Sequence, residues 1–180
     1  MRLAEPPRLY VPRWSEEIIA ETLRNLESRI GLSKAKTAYL AAQLRIHFGD
    51  AWVTGHRPLI DKMGNHPKDR HVLAAAVKCG ARMIVTYNRR DFPAASTEPF
   101  GIEVQGPSAF LKHLFERNTS VVLDKLQAQA LNLGRALPEQ LVVLRNAVPA
   151  FVDIICQEMG IDLEALPQQP VTRPNIPTKH

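Results

Sequence analysis

Residues 68–93 read KDRHVLAAAVKCGARMIVTYNRRDFP, and the rest of the chain is best read outward from them. Val72, Leu73, Ala76 and Val77 recur at the spacing of one helical face. Asp69, four positions before Leu73, stands at the N-terminal end of that face. Gly80 follows the periodic run, where a left-handed C-cap would use it. Met83, Ile84 and Val85 form a short apolar run that suits a strand buried on both faces. Asn88, Arg89, Arg90 and Asp91 then break the apolar character, and Pro93 closes the segment.

Lengths give this order a consequence. A helix over 69–79 runs roughly 15 Å, and a strand over 82–87 returns about the same distance. Asp69, Asn88 and Asp91 are therefore expected to meet at the carboxyl edge of a sheet, where open α/β folds bind ligands. Two carboxylates and an amide are hard oxygen donors of the kind Mg²⁺ or Mn²⁺ takes. Other uses stand beside this one. Asp is a favoured N-cap, so Asp69 could serve only its helix, and Asp91 could be a solvated loop acid. His71 reads as structural, and His66 and His71 lack the three- or four-residue spacing that pairs ligands on one helix face.

Upstream, Leu9, Tyr10 and Val11 predict a short strand, and Trp52, Val53 and Thr54 a second. Ser15 is a good N-cap for an amphipathic helix over 15–30, with Glu16 and Glu17 in the dipole-favoured first turn. Gly31 ends it, and Ser33 caps a helix over 34–48. A short helix or turn over 57–63 and a strand over 102–104 complete the first part. Strands separated by helical pattern predict an α/β fold with a parallel sheet and flanking helices.

After Pro107 only helical periodicity remains, over 108–117, 120–133, 138–146 and 149–159, with Pro138 and Pro149 at first-turn positions. This predicts an α/β domain over 1–106, a helical appendage over 107–166 and a disordered polar tail over 167–180. The 180 residues suffice for a domain with a proper core and an appendage. A net charge of +5 leans weakly toward a polyanionic partner. Cys79 and Cys156 form no disulfide or zinc pattern, and no signal peptide or membrane span is visible, so a reducing cytoplasm is the expected location. No Gly-rich phosphate loop or nucleophile elbow supports a metabolic α/β protein that binds a small ligand. Trp14 and Trp52 read as core anchors rather than base-stacking platforms.

The phrases DRHVLAAAV and IVTYNRRDFP closely resemble the PIN-domain family, in particular its toxin-type bacterial ribonuclease branch. The resemblance runs over about the first 105 residues. It implies a PIN-like parallel sheet and a metal-dependent endoribonuclease, the toxin of a type II toxin–antitoxin pair, using Mg²⁺ or Mn²⁺. RNA, a cognate antitoxin and a homodimer are the implied partners. It assigns Asp69, Asp91 and the helical Glu21 to catalysis and metal binding. Helical spacing sets Glu21 beside the apolar stripe rather than on it. Asn88, where many members carry Asp, is implied to support the site by hydrogen bonding. Arg89 and Arg90 are implied RNA contacts, with a solvated surface as the plainer use.

One departure is expected to matter. Members of this branch open with a strand ending in Asp, and here Leu3, Ala4 and Glu5 resemble the end of the helix that follows it. The implied sheet would then lack a central strand between residues 9–11 and 83–85, and the site would lack one carboxylate. An N-terminally truncated form, inactive alone or acting as a nuclease-dead RNA- or antitoxin-binding module, is the alternative expectation.

Overall fold

The computed structural model describes residues 2–165. Met1 and the tail expected over 167–180 lie outside the described residues.

The chain opens with a 3-10 turn at Arg2–Ala4 and an irregular stretch that leads to Trp14. Helix α1 spans Glu16–Ile30. The Ser15 hydroxyl accepts from the Ile18 N–H at 3.4 Å, satisfying one of the amides a helix start leaves open. The helix ends at Gly31, whose φ of 73° is costly for any residue with a Cβ. Helix α2, Lys34–His47, is capped by Ser33 in the same manner. The two helices are joined by Thr37 Oγ1 donating to Glu27 Oε1 at 2.6 Å and by an Arg45–Glu16 ion pair at 2.6 Å. Trp14, Ile19, Leu44 and Ala51 are buried between them. Trp14 meets Phe48 and Trp52 edge-on at 5.7 and 6.1 Å, so both tryptophans are packing residues.

Helix α3, Arg70–Lys78, follows two 3-10 turns, Arg57–Lys62 and Pro67–Asp69. Leu73, Ala74, Ala75 and Ala76 are all buried, and the three small alanines let the helix lie close to its neighbours. Gly80, φ 64°, ends it: the Ala81 N–H reaches the Ala76 carbonyl at 2.9 Å and the Gly80 N–H reaches Val77 at 3.2 Å, a Schellman closure. The chain then enters strand β1, Met83–Val85. A short helix α4, Ala94–Thr97, leads to strand β2, Glu103–Gln105, which pairs parallel to β1 with Ile84 opposite Val104. Leu73, Ala76, Ile84, Phe92, Ile102 and Met63 form the core between α3 and this sheet.

Helices α5 to α8 span Pro107–Arg117, Thr119–Asn132, Leu137–Arg145 and Pro149–Met159. They bury a core of their own around Phe115, Val122, Leu141, Phe151, Val152 and Ile155. Leu3 and Leu9 pack against that core. The Lys125 ammonium donates to the carbonyls of Arg2, Glu5 and Pro6 at 3.0, 2.9 and 3.2 Å, fastening the first turn to α6. Tyr87 likewise reaches across, donating its hydroxyl to the Ala147 carbonyl at 3.0 Å.

The fold is thus α/β, with helix predominating and a parallel sheet of two strands among the described residues. The expected strands at 9–11 and 52–54 are not formed. A single parallel bridge, Trp14 to Trp52, stands where the second was expected. A strand exists only through a neighbour's hydrogen bonds. Leu9 instead packs on the helical core, and Tyr10 meets Phe110 edge-on at 5.2 Å. Pro12, lacking an N–H, cannot donate to a ladder. The expected strands at 82–87 and 102–104 are present in shortened or shifted form.

Candidate metal centre

Two backbone turns build the site. The first is 64–69. Pro67 biases His66 to extended backbone, and the 3-10 turn that follows lets the Asp69 N–H donate to the His66 carbonyl at 2.9 Å. The second is the exit of β1, where Arg89–Asp91 makes another 3-10 turn. Phe92, 4 % exposed, plugs into the core beside Leu73 and Ile84 and so fixes the residue before it. The turns are tied together by the His66 N–H, which donates to the Asp91 carbonyl at 3.1 Å.

Asp69 occupies the N-cap position of α3, yet its side chain makes no capping bond. The carboxylate faces Asp91 instead, close enough for the two to share a hydrogen bond when one carries a proton. Burial, then that hydrogen bond and the nearby charges of Asp91 and Glu21, hold the Asp69 carboxyl above its ordinary pKa. The Asn88 amide donates to Asp91 Oδ2. That bond, with a second from Asp69, holds the Asp91 carboxyl below its ordinary pKa. The two carboxyls are therefore split, the Asp69 pKa raised and the Asp91 pKa lowered.

His66, Asp69 and Asp91 each present a donor atom, all within 4.8 Å of one another. Metal–oxygen bonds of about 2.1 Å at octahedral angles put neighbouring donors roughly 3 Å apart and opposite donors about 4 Å apart. His66 Nδ1 lies 3.9 Å from Asp91 Oδ2, inside that range. The donor set could hold one divalent ion.

The other sequence candidates lie around this centre. Glu21, on α1, stands with Oε2 3.5 Å from His71 Nε2, outside the three-donor cluster, though its charge is felt at Asp69. It lines an adjoining open cleft of about 580 Å³ with Glu17, Arg24, Ile60, Lys68 and His71. Glu17 is held by Arg57 at 2.8 Å and faces the buried His56 at 3.5 Å. Its carboxyl is lowered to about 2, chiefly by a backbone hydrogen bond, then by the Arg57 and Ser15 side chains against the opposing effect of burial. Arg89 and Arg90 are exposed on the turn that carries Asp91. His66 is the residue that sequence spacing set aside: its three-residue interval to Asp69 is not on one helix but crosses a turn. The Pro67 between them was the available signal.

No protein-family model matches the chain, and no solved structure matches it. The chain is 43% identical over 76 residues to the "Putative ribonuclease VapC50" of Mycobacterium tuberculosis, a stretch that is 41% of this chain and 45% of that protein. It thus spans under half the length of the curated relative it matches. No helix among the described residues is long and apolar enough to cross a membrane. The matched stretch of the chain is thus similar to a protein named as a putative ribonuclease, the class that the phrases DRHVLAAAV and IVTYNRRDFP resemble.

Proposed function

We propose that this chain is a metal-dependent endoribonuclease of the PIN type, the toxin of a type II toxin–antitoxin pair, acting in the cytoplasm on RNA. The carrying observation is that Asp69 leaves its helix uncapped and turns its carboxylate to Asp91. A bound Mg²⁺ or Mn²⁺ would supply an activated water and offset charge that develops on a phosphodiester.

The chain's own residues do the rest. Asn88 holds Asp91 ionised and oriented, so one carboxylate is ready to receive a cation. A cation would favour the ionised form of Asp69, offsetting the burial and the charges of Asp91 and Glu21 that raise its pKa. Glu21 brings a third carboxylate to the adjoining cleft, where its Oε2 stands 3.5 Å from His71 Nε2. Arg24 and Lys68 line that cleft, and Arg89 and Arg90 flank the Asp91 side. These cations position an RNA backbone without reading its bases. A cognate antitoxin and a second copy of the chain are the protein partners proposed.

The test is cleavage of a labelled RNA by the full chain with Mg²⁺ or Mn²⁺. Activity lost on chelation and in Asp69→Asn is the expected result; cleavage that persists in Asp69→Asn overturns the proposal. A second reading rests on the cluster holding only two carboxylates, with Glu21 set apart. It is a nuclease-dead module that binds RNA or an antitoxin. RNA retention without cleavage, at any divalent ion concentration, would favour it.

A further inference from the structure

We propose that His66 is a ligand of the bound cation, and that its imidazole turns the site toward first-row transition ions such as Mn²⁺ and away from Mg²⁺. The inference rests on the metal-site reading above and specifies which ion the site selects.

The chain holds His66 in place at both ends of its peptide unit. Its N–H is bonded to the Asp91 carbonyl at 3.1 Å, and its carbonyl accepts from the Asp69 N–H at 2.9 Å. One residue is thereby stitched to each of the two acids it faces. Its Nδ1 accepts from the Lys68 N–H at 3.4 Å, so this nitrogen carries a lone pair rather than a proton, and a bound cation would take that lone pair in place of the long bond.

Beyond that one long capping bond to the turn, the ring has no packing role. The side chain is 46% exposed, so it fills no core. Its separation of 3.9 Å from Asp91 is too long for a hydrogen bond. The other two histidines near the cleft differ. His56 and His71 are 4% and 16% exposed, and each faces a glutamate of α1 at 3.5 Å. His66 alone of the three pairs an accessible ring nitrogen with two carboxylates at ligand spacing.

Donor chemistry then fixes the preference. Mg²⁺ takes oxygen ligands and water, and it accepts imidazole poorly. Imidazole suits later divalent ions of the first row, and Mn²⁺ tolerates a mixed nitrogen–oxygen set. Replacing one oxygen donor by nitrogen costs Mg²⁺ more than it costs Mn²⁺.

The experiment uses the full chain, stripped of metal, titrated with Mn²⁺ alone while free Mn²⁺ is followed by electron paramagnetic resonance, and then competed with Mg²⁺ alone. The unaltered chain is expected to bind Mn²⁺ at least about tenfold more tightly than Mg²⁺. His66→Ala should weaken Mn²⁺ about tenfold and leave Mg²⁺ within about threefold. His66→Asp should restore an all-oxygen set and lower the Mn²⁺ to Mg²⁺ preference. Asp91→Asn should weaken both ions. Far-ultraviolet circular dichroism verifies that the variants are folded. If Asp91→Asn weakens both ions but His66→Ala leaves Mn²⁺ affinity unchanged, the inference is overturned and the metal site stands. If the unaltered chain binds neither ion, the metal-site reading itself is overturned.

Discussion

The N–H of His66 donates to the carbonyl of Asp91 across 3.1 Å, joining the turn before α3 to the turn after β1. These residues are distant in sequence. The bond makes the approach of Asp69 to Asp91 a property of the main chain.

The first prediction concerns stability against function at Asp69. Its raised pKa means that the ionised carboxylate is disfavoured in the fold, by burial and by the charges of Asp91 and Glu21. A carboxyl with a raised folded pKa costs stability when ionised, and the cost vanishes as pH falls through that pKa. In the metal-free chain at pH 7, Asp69→Asn should therefore raise Tm by about 1–3 °C, after allowing for solvent screening. The gain should shrink toward zero in acid. Calorimetry at pH 7 and pH 3.5 checks it, and a lower Tm at pH 7 would count against the repulsion described here.

Asn88 should act through Asp91. Its amide bond is the first cause of the lowered Asp91 pKa, so Asn88→Ala should move that pKa up toward the ordinary carboxylate range. Carbon-detected NMR of the Asp91 carboxyl resolves the shift. Divalent-ion affinity should fall by about tenfold, the usual effect of removing a group that orients a ligand.

Glu17 should show the opposite pH dependence to Asp69. Its folded pKa is lowered to about 2, so its ionised form stabilises the fold above the unfolded value and that contribution is lost as pH falls toward 2. Glu17→Gln should destabilise by about 0.5–1 kcal/mol at neutral pH, given its partial exposure. The difference between variant and parent should close near pH 2. Urea titration at both pH values measures it.

The cores should respond by burial. Leu73 and Leu141 are both 0% exposed, one between α3 and the sheet, the other among α5 to α8. Either residue changed to Ala should cost about 2–5 kcal/mol, read from urea unfolding followed by circular dichroism.

Much of the helical structure was legible because its punctuation is local. Ser15 and Gly31, Ser33, Gly80 and Pro149 mark ends with residues whose own chemistry sets the cap or turn. The approach of Asp69 to Asp91 was also legible, since helix and strand lengths cancel over a short span. The strands at 9–11 and 52–54 were not, because a β-branched run states a preference and a ladder needs a partner elsewhere. His66 was hidden for a related reason. A test for ligands on one helix face cannot find a residue that enters from the preceding turn.

Lys125 gives the molecule a seam. Its one ammonium group closes three carbonyls of residues 2–6, so the opening turn and α6 should come apart together. A probe attached near the N-terminus would then report the melting of the distant helical half. An acylating reagent should find this amine slow to react until that half has opened, which makes Lys125 a built-in clock for how often the seam parts.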